Sequence, residues 1–277
     1  MSKLQWIVLL SAIGILLLLY FGCPTKPPGR TQIDIARAKK ASTIDLDKLL
    51  ERATKIYSPE QLKPILALER QLSDTLPDDL ATELFKDISR NWNQLGDFAL
   101  GGMYAEKVAD ISRTDSAWAI TGTTYFSCFR SDRDSTMRSF CISKAIGAFE
   151  SAISVAPDNP VHSVNLGQCY VEAGQQPMRG ITIIRDVAEK HPENTLASMT
   201  LGRMSIRTAQ YEKAVQRFNN VINYKPKNAE AHYWLGISHK ELNQTEKAVF
   251  HLKQFINLSD NDAQKREAQT LLQGLES

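Results

Sequence analysis

Residues 229–258 read AEAHYWLGISHKELNQTEKAVFHLKQFINL, and residues 195–226 read TLASMTLGRMSIRTAQYEKAVQRFNNVINYKP. Offset by 34 positions, Leu235-Gly236 falls on Leu201-Gly202, and Glu246-Lys247-Ala248-Val249 falls on Glu212-Lys213-Ala214-Val215. Leu252 then lies over Phe218, and Phe255 over Val221. The same series runs backwards through Leu166-Gly167, Gly180, Ile184 and Val187, and after a longer gap through Ala145, Phe149 and Ala152. Pro157, Pro192 and Pro226 each close a unit. Within a unit the apolar residues recur every three or four positions, the period of a buried helix face. A period near 34 with two such stretches per unit describes helical hairpins that bury their faces only against neighbours.

This pattern resembles the tetratricopeptide repeat. On that resemblance residues 78–262 hold five repeats, at about 78–113, 114–158, 160–193, 195–228 and 229–262. Gly96, Gly174, Ala209 and Asn243 stand at the turns between paired helices. The resemblance implies an all-α, right-handed α-solenoid with a concave groove lined by each first helix at its second, fifth, ninth, twelfth and thirteenth residues. Those positions predict a partner-binding groove of Val164, Gln168 and Val171, then Met199, Arg203, Ile206 and Arg207, then Tyr233, Ile237 and Lys240, with Phe126 in the second repeat. The first repeat supplies polar Glu83, Lys86, Arg90, Asn93 and Gln94. Arg90, Ile120 and Val161 stand where a chaperone-tail clamp of this family requires Asn, Asn and Lys, so that specificity is not expected.

The first repeat departs from the pattern at Gly101-Gly102, where each interior glycine costs a helix about 1 kcal/mol. The second carries extra residues at 127–141, expected as a charged surface loop with Arg130, Arg133, Arg138, Asp132 and Asp134. Phe149, Phe218, Phe250 and Phe255 are expected to fill the seams between helices. Before the repeats, residues 42–77 read as a lead-in helical pair, starting at Ser42 or Thr43 and again at Ser58-Pro59, where serine caps and proline suits the first turn. This pair is also able to fill the groove. After the repeats, residues 263–277 read as a capping helix, polar on one side and carrying Leu271, Leu272 and Leu275 on the other.

The N-terminus has another character. Residues 6–22, WIVLLSAIGILLLLYFG, carry no charge, and eleven of the seventeen are Leu, Ile, Val or Phe. At bilayer depth such a run is favourable by roughly 3–7 kcal/mol, and as a helix it spans about 25 Å, slightly less than a hydrocarbon core. Residues 1–22 are therefore predicted to be an uncleaved membrane anchor, ahead of lipidation at Cys23 or signal cleavage. Residues 23–41 form a Pro-rich, basic tether. Lys26, Arg30, Arg37, Lys39 and Lys40 follow the anchor, against Lys3 before it, which favours a cytoplasmic soluble domain.

Composition excludes several classes of function. Apolar residues make 43% of the chain, charged residues 23%, and the net charge is +2, so no nucleic-acid footprint is present. Cys23, Cys128, Cys141 and Cys169 lack metal-ligand spacing and read as free thiols of a reducing compartment. His232 and His239 lie about 10 Å apart along one helix, too far to share a metal, and read as core. No phosphate loop or zinc-protease motif occurs, so no catalysis, cofactor, metal or small-molecule substrate is expected. The functional expectation is a membrane-anchored adaptor that holds a peptide or amphipathic helix of a partner protein. The alternative is a periplasm-facing anchored protein or lipoprotein in envelope assembly.

Overall fold

The computed structural model describes residues 44–73, 75–174 and 176–276, which form thirteen α-helices with no strand among the described residues. The expected membrane anchor at 6–22 and the tether at 23–41 lie outside them. Among the described helices none is long and apolar enough to cross a membrane.

The lead-in pair is α1 (Leu46–Ile56) and α2 (Pro59–Glu69). Asp45, rather than Ser42 or Thr43, caps α1, its carboxylate accepting the Lys48 N–H. Ser58 and Gln61 close a reciprocal capping box at α2, with Pro59 in the first turn, where its missing N–H goes unnoticed.

Five hairpins follow: α3 (Asp78–Leu95) with α4 (Phe98–Ser112), α5 (Asp115–Ser131) with α6 (Ser135–Val155), and α7 (Pro160–Ala173) with α8 (Pro177–Lys190). Then come α9 (Thr195–Arg207) with α10 (Tyr211–Tyr224), and α11 (Ala229–Glu241) with α12 (Thr245–Leu258). The last helix, α13 (Asp262–Glu276), packs on α12. Four of the turns place a left-handed residue where the alignment puts it, with φ of 83° at Gly96, 71° at Gly174, 54° at Ala209 and 56° at Asn243. Each hairpin packs on the next through its second helix, and α5, α7, α9 and α11 also touch side by side. Contact confined to neighbours makes this a solenoid.

One close approach holds every hairpin from the second to the fifth together. A Cβ added at Gly122 would stand 2.9 Å from the Phe149 ring, at Gly167 2.6 Å from Ile184, at Gly202 2.5 Å from Phe218 and at Gly236 2.7 Å from Leu252. The first helix therefore offers a notch, and the second seats a large apolar side chain there. Phe149, Ile184, Phe218 and Leu252 are each at most 1% exposed. Gly102, counted above as a penalty, plays a related part, since its Cβ would lie 2.6 Å from Tyr125 of the next hairpin. Phe250 does not fill a seam; it is 55% exposed on α12.

The expected loop at 127–141 is helical. Helix α5 runs to Ser131 and α6 starts at Ser135, giving helices of 17 and 21 residues against 14 each in the next hairpin. The extra residues make both helices of this hairpin longer than those of the next. A disulfide joins Cys128 to Cys141 across it, with Cα atoms 5.9 Å apart, so the expected free thiols are corrected to one bond and the buried thiol of Cys169. Two cysteines flanking a three-residue connection meet only once both sides are helical.

The lead-in pair closes the N-terminal end. Helix α1 packs on α4 and α2 on α3. Arg52 of α1 reaches Asp97 at 3.0 Å and Asp132 at 3.8 Å, tying the turns of the first two hairpins to α1. Asp97, almost wholly buried, also caps α4 through the Leu100 N–H.

Gly202→Leu forces a side chain into the Phe218 seat and is expected to cost at least about 1–3 kcal/mol, the usual scale of overpacking. Urea unfolding with hydrogen exchange measures it, and the loss of protection should centre on α9 and α10.

Candidate functional site

The first helices present the same positions in register, and the fold divides them into two sets. At the fifth position the side chains turn into the seams. Val164 is fully buried among Ile184, Val187, Ala197 and Leu201, and Met199, 6% exposed, packs with Phe218, Val221 and Leu235. Both were expected in the groove. Both are core, because α7 and α9 lie so close to their neighbours that this row is covered from the side. Tyr233 follows them in part, with its ring 5.1 Å from Phe255 and its hydroxyl donating to Glu267 of α13. Burial, then that carboxylate, pushes the phenol up to about 12.

At the ninth, twelfth and thirteenth positions the side chains stay accessible. Phe126, Val171, Ile206 and Lys240 are half-buried along the twelfth row, as are Gln168, Arg203 and Ile237 along the ninth. Arg207 is exposed and has no bonded partner among the described residues. Phe126 stacks on Phe129 at 6.1 Å, with the Arg130 guanidinium 5.9 Å from its ring. Phe126, Val171 and Ile206 thus rest one side on the core and turn the other outwards. Ile120 and Val161, 60% and 39% exposed, extend the apolar character along α5 and α7.

Polar contacts knit neighbouring first helices across this face. Arg130 approaches Glu172 at 3.9 Å, Gln168 donates to the Thr200 hydroxyl at 2.8 Å, and Arg203 pairs with Glu230 at 3.0 Å. Lys240 pairs within its own helix with Glu241. At the opposite edge, His162 of α7 bonds Asp115 of α5 at 2.8 Å, a contact that holds the Asp115 carboxyl below the usual range. The lead-in pair, which was able to fill the groove, packs on α3 and α4.

Chemistry has little to work with. Among the described residues no group of three or more His, Cys, Asp or Glu could hold a metal. His232, His239 and His251 are buried together between α11 and α12, and burial plus the neighbouring histidines lowers His251 to about 4. Burial raises the Cys169 thiol far above the ordinary range, which removes it as a nucleophile. The role of the long α5–α6 hairpin was missed in the sequence, although the pair Cys128 and Cys141 was its one visible sign.

Two family models match the C-terminal repeats: one described as TPR repeat over residues 208–243, and one described as tetratricopeptide repeat over 230–262. Among solved structures, a crystal structure of MamA is 17% identical with a TM-score of 0.44, covering 66% of this chain and 94% of that one. A second MamA crystal structure is 16% identical at 0.45, covering 64% and 97%. YrrB, described as a TPR protein with an unusual peptide-binding site, is 18% identical at 0.43, covering 68% and 91%. No curated protein matches the chain.

The two sets of positions predict opposite outcomes. Met199→Glu puts an unpaired charge into the seam and should cost more than about 3 kcal/mol, whereas Arg207→Glu should stay within about 0.5 kcal/mol. Denaturant melts of the two variants measure the difference.

Proposed function

Given that the chain carries tetratricopeptide repeats, we propose that it is a non-catalytic scaffold that captures a partner protein on the face of its first helices. The face is the concave side of a right-handed superhelix. The observation behind this reading is the accessible apolar row Phe126, Val171 and Ile206, which the seams do not consume. Arg203 and Arg207 flank it, and Arg207 pairs with no carboxylate among the described residues. An amphipathic helix or extended peptide with acidic residues on its polar edge fits both features, the apolar row supplying affinity and the cations orientation.

In this proposal residues 6–22 anchor the scaffold in a membrane and residues 23–41 tether it. The side follows from chemistry in the second hairpin. Disulfides persist in oxidising compartments and are reduced in the cytosol, so the Cys128–Cys141 bond favours an extracytoplasmic domain over the cytoplasmic one suggested by the flanking cations. The second reading, an anchored protein of envelope assembly, thereby gains over a cytoplasmic adaptor.

Two measurements test these points. A photo-crosslinking residue at Val171 or Ile206 should give a discrete adduct in native membranes, one at exposed Thr182 of α8 should not, and Arg207→Glu should weaken the adduct about tenfold. Equal adducts from both faces would refute the groove. For the side, acid-quenched cells are alkylated under denaturing conditions without reductant. Cys128 and Cys141 should stay unlabelled until reduction; their labelling at once would return the domain to a reducing compartment.

A further inference from the structure

Three histidines converge in the last hairpin. His232 lies on α11 and His251 on α12, with their Nδ1 atoms 3.0 Å apart. The other ring nitrogen of His232 bonds the Pro226 carbonyl at 2.9 Å. A carbonyl can only accept, so that Nε2 carries hydrogen. In the neutral ring the His232 Nδ1 is then a bare acceptor, and the His251 Nδ1–H donates to it. His239, two turns further along α11, lies parallel to His251 at 5.5 Å and bonds the Gln244 side chain. All three are less than 10% exposed.

No carboxylate among the described residues bonds these rings. Their hydrogen-bond partners are one another, the Pro226 carbonyl between α10 and α11, and the Gln244 amide before α12. The charged group acting on them is Lys247 of α12, which disfavours a proton on His239. Phe250 meets the His251 ring edge-on at 5.0 Å, and α13 contributes none of their hydrogen bonds or ion pairs among the described residues. A proton on His232 enters at Nδ1 and sets two N–H groups against each other across the contact. A proton on His251 enters at Nε2 and leaves a cation between two other imidazoles.

We propose that His232, His239 and His251 form an acid-sensitive latch that closes α12 on α11 at neutral pH and releases it on acidification. Burial and the two neighbouring histidines hold His251 at about 4, below the 6.5 of an exposed histidine. A lowered histidine binds fewer protons folded than unfolded. Its contribution is therefore complete above pH 6.5 and lost as pH falls towards 4. At pH 5 this linkage favours the open hairpin about 20-fold over its neutral-pH level. Release would loosen the end of the solenoid that carries Tyr233, Ile237 and Lys240, while the stapled α5–α6 hairpin holds no such cluster.

The test is hydrogen exchange on the full chain at pH 7 and pH 5, corrected for intrinsic rates. Residues 229–258 should lose protection about 20-fold more than residues 115–155. The double variant His232→Phe, His251→Leu should abolish that difference, and it does not depend on knowing a partner. Should the variant fail to fold, the ring-proton titration of His251 in the unaltered chain decides. A midpoint near 4 supports the latch, and one near 6.5 overturns it. An equal loss of protection in all hairpins, or an undiminished pH response in the folded double variant, also overturns it.

Discussion

The glycine notch on each first helix is the contact on which the solenoid depends. With a Cβ at Gly122, Gly167, Gly202 or Gly236, the paired second helix could not seat Phe149, Ile184, Phe218 or Leu252 where each now stands. An interior glycine weakens an isolated helix by about 1 kcal/mol, and burying one large apolar side chain returns about 1.5–3 kcal/mol. The exchange is favourable only if the second helix is present, so helix formation and hairpin closure occur together. The spacing between hairpins follows from the same seats, since each filled notch fixes where the next first helix can lie.

That spacing decides which residues are left for a partner. When first helices sit close enough to touch, the row facing sideways is lost to the seam, as Val164 and Met199 show. The row facing outwards keeps Phe126, Val171 and Ile206 half open. Polar bridges such as Gln168 to Thr200 and Arg203 to Glu230 run across the same face. They satisfy the groups they use and fix the angle between neighbours, which keeps the apolar row in line.

The second hairpin departs from this economy. Both its helices are longer than those of the hairpin that follows, and the added length finds no matching length of helix in that repeat. Arg52 of helix α1 ties the turn at Asp132, and the Cys128–Cys141 bond closes the hairpin covalently. Cross-linking across a short connection destabilises mainly the unfolded chain. The lead-in pair and the disulfide thus answer one problem, the support of an element that the repeat pattern does not provide for.

The sequence by itself determined the hairpins, their turns and the cap at Ser58, because these are local: a period of 34, a left-handed residue at Gly96, Gly174, Ala209 or Asn243, and a serine ahead of Pro59 act within a few residues. Only the tertiary structure decided how deep each face lies. Val164 and Met199 fell into the seams, Phe250 stayed out of them, the residues at 127–141 became helix, and Cys128 met Cys141. The three histidines of the last hairpin likewise converged only when two helices closed. Periodicity gives the direction of a side chain, whereas burial and pairing depend on the distance to the next helix, and that distance is set by the close contacts of the folded chain.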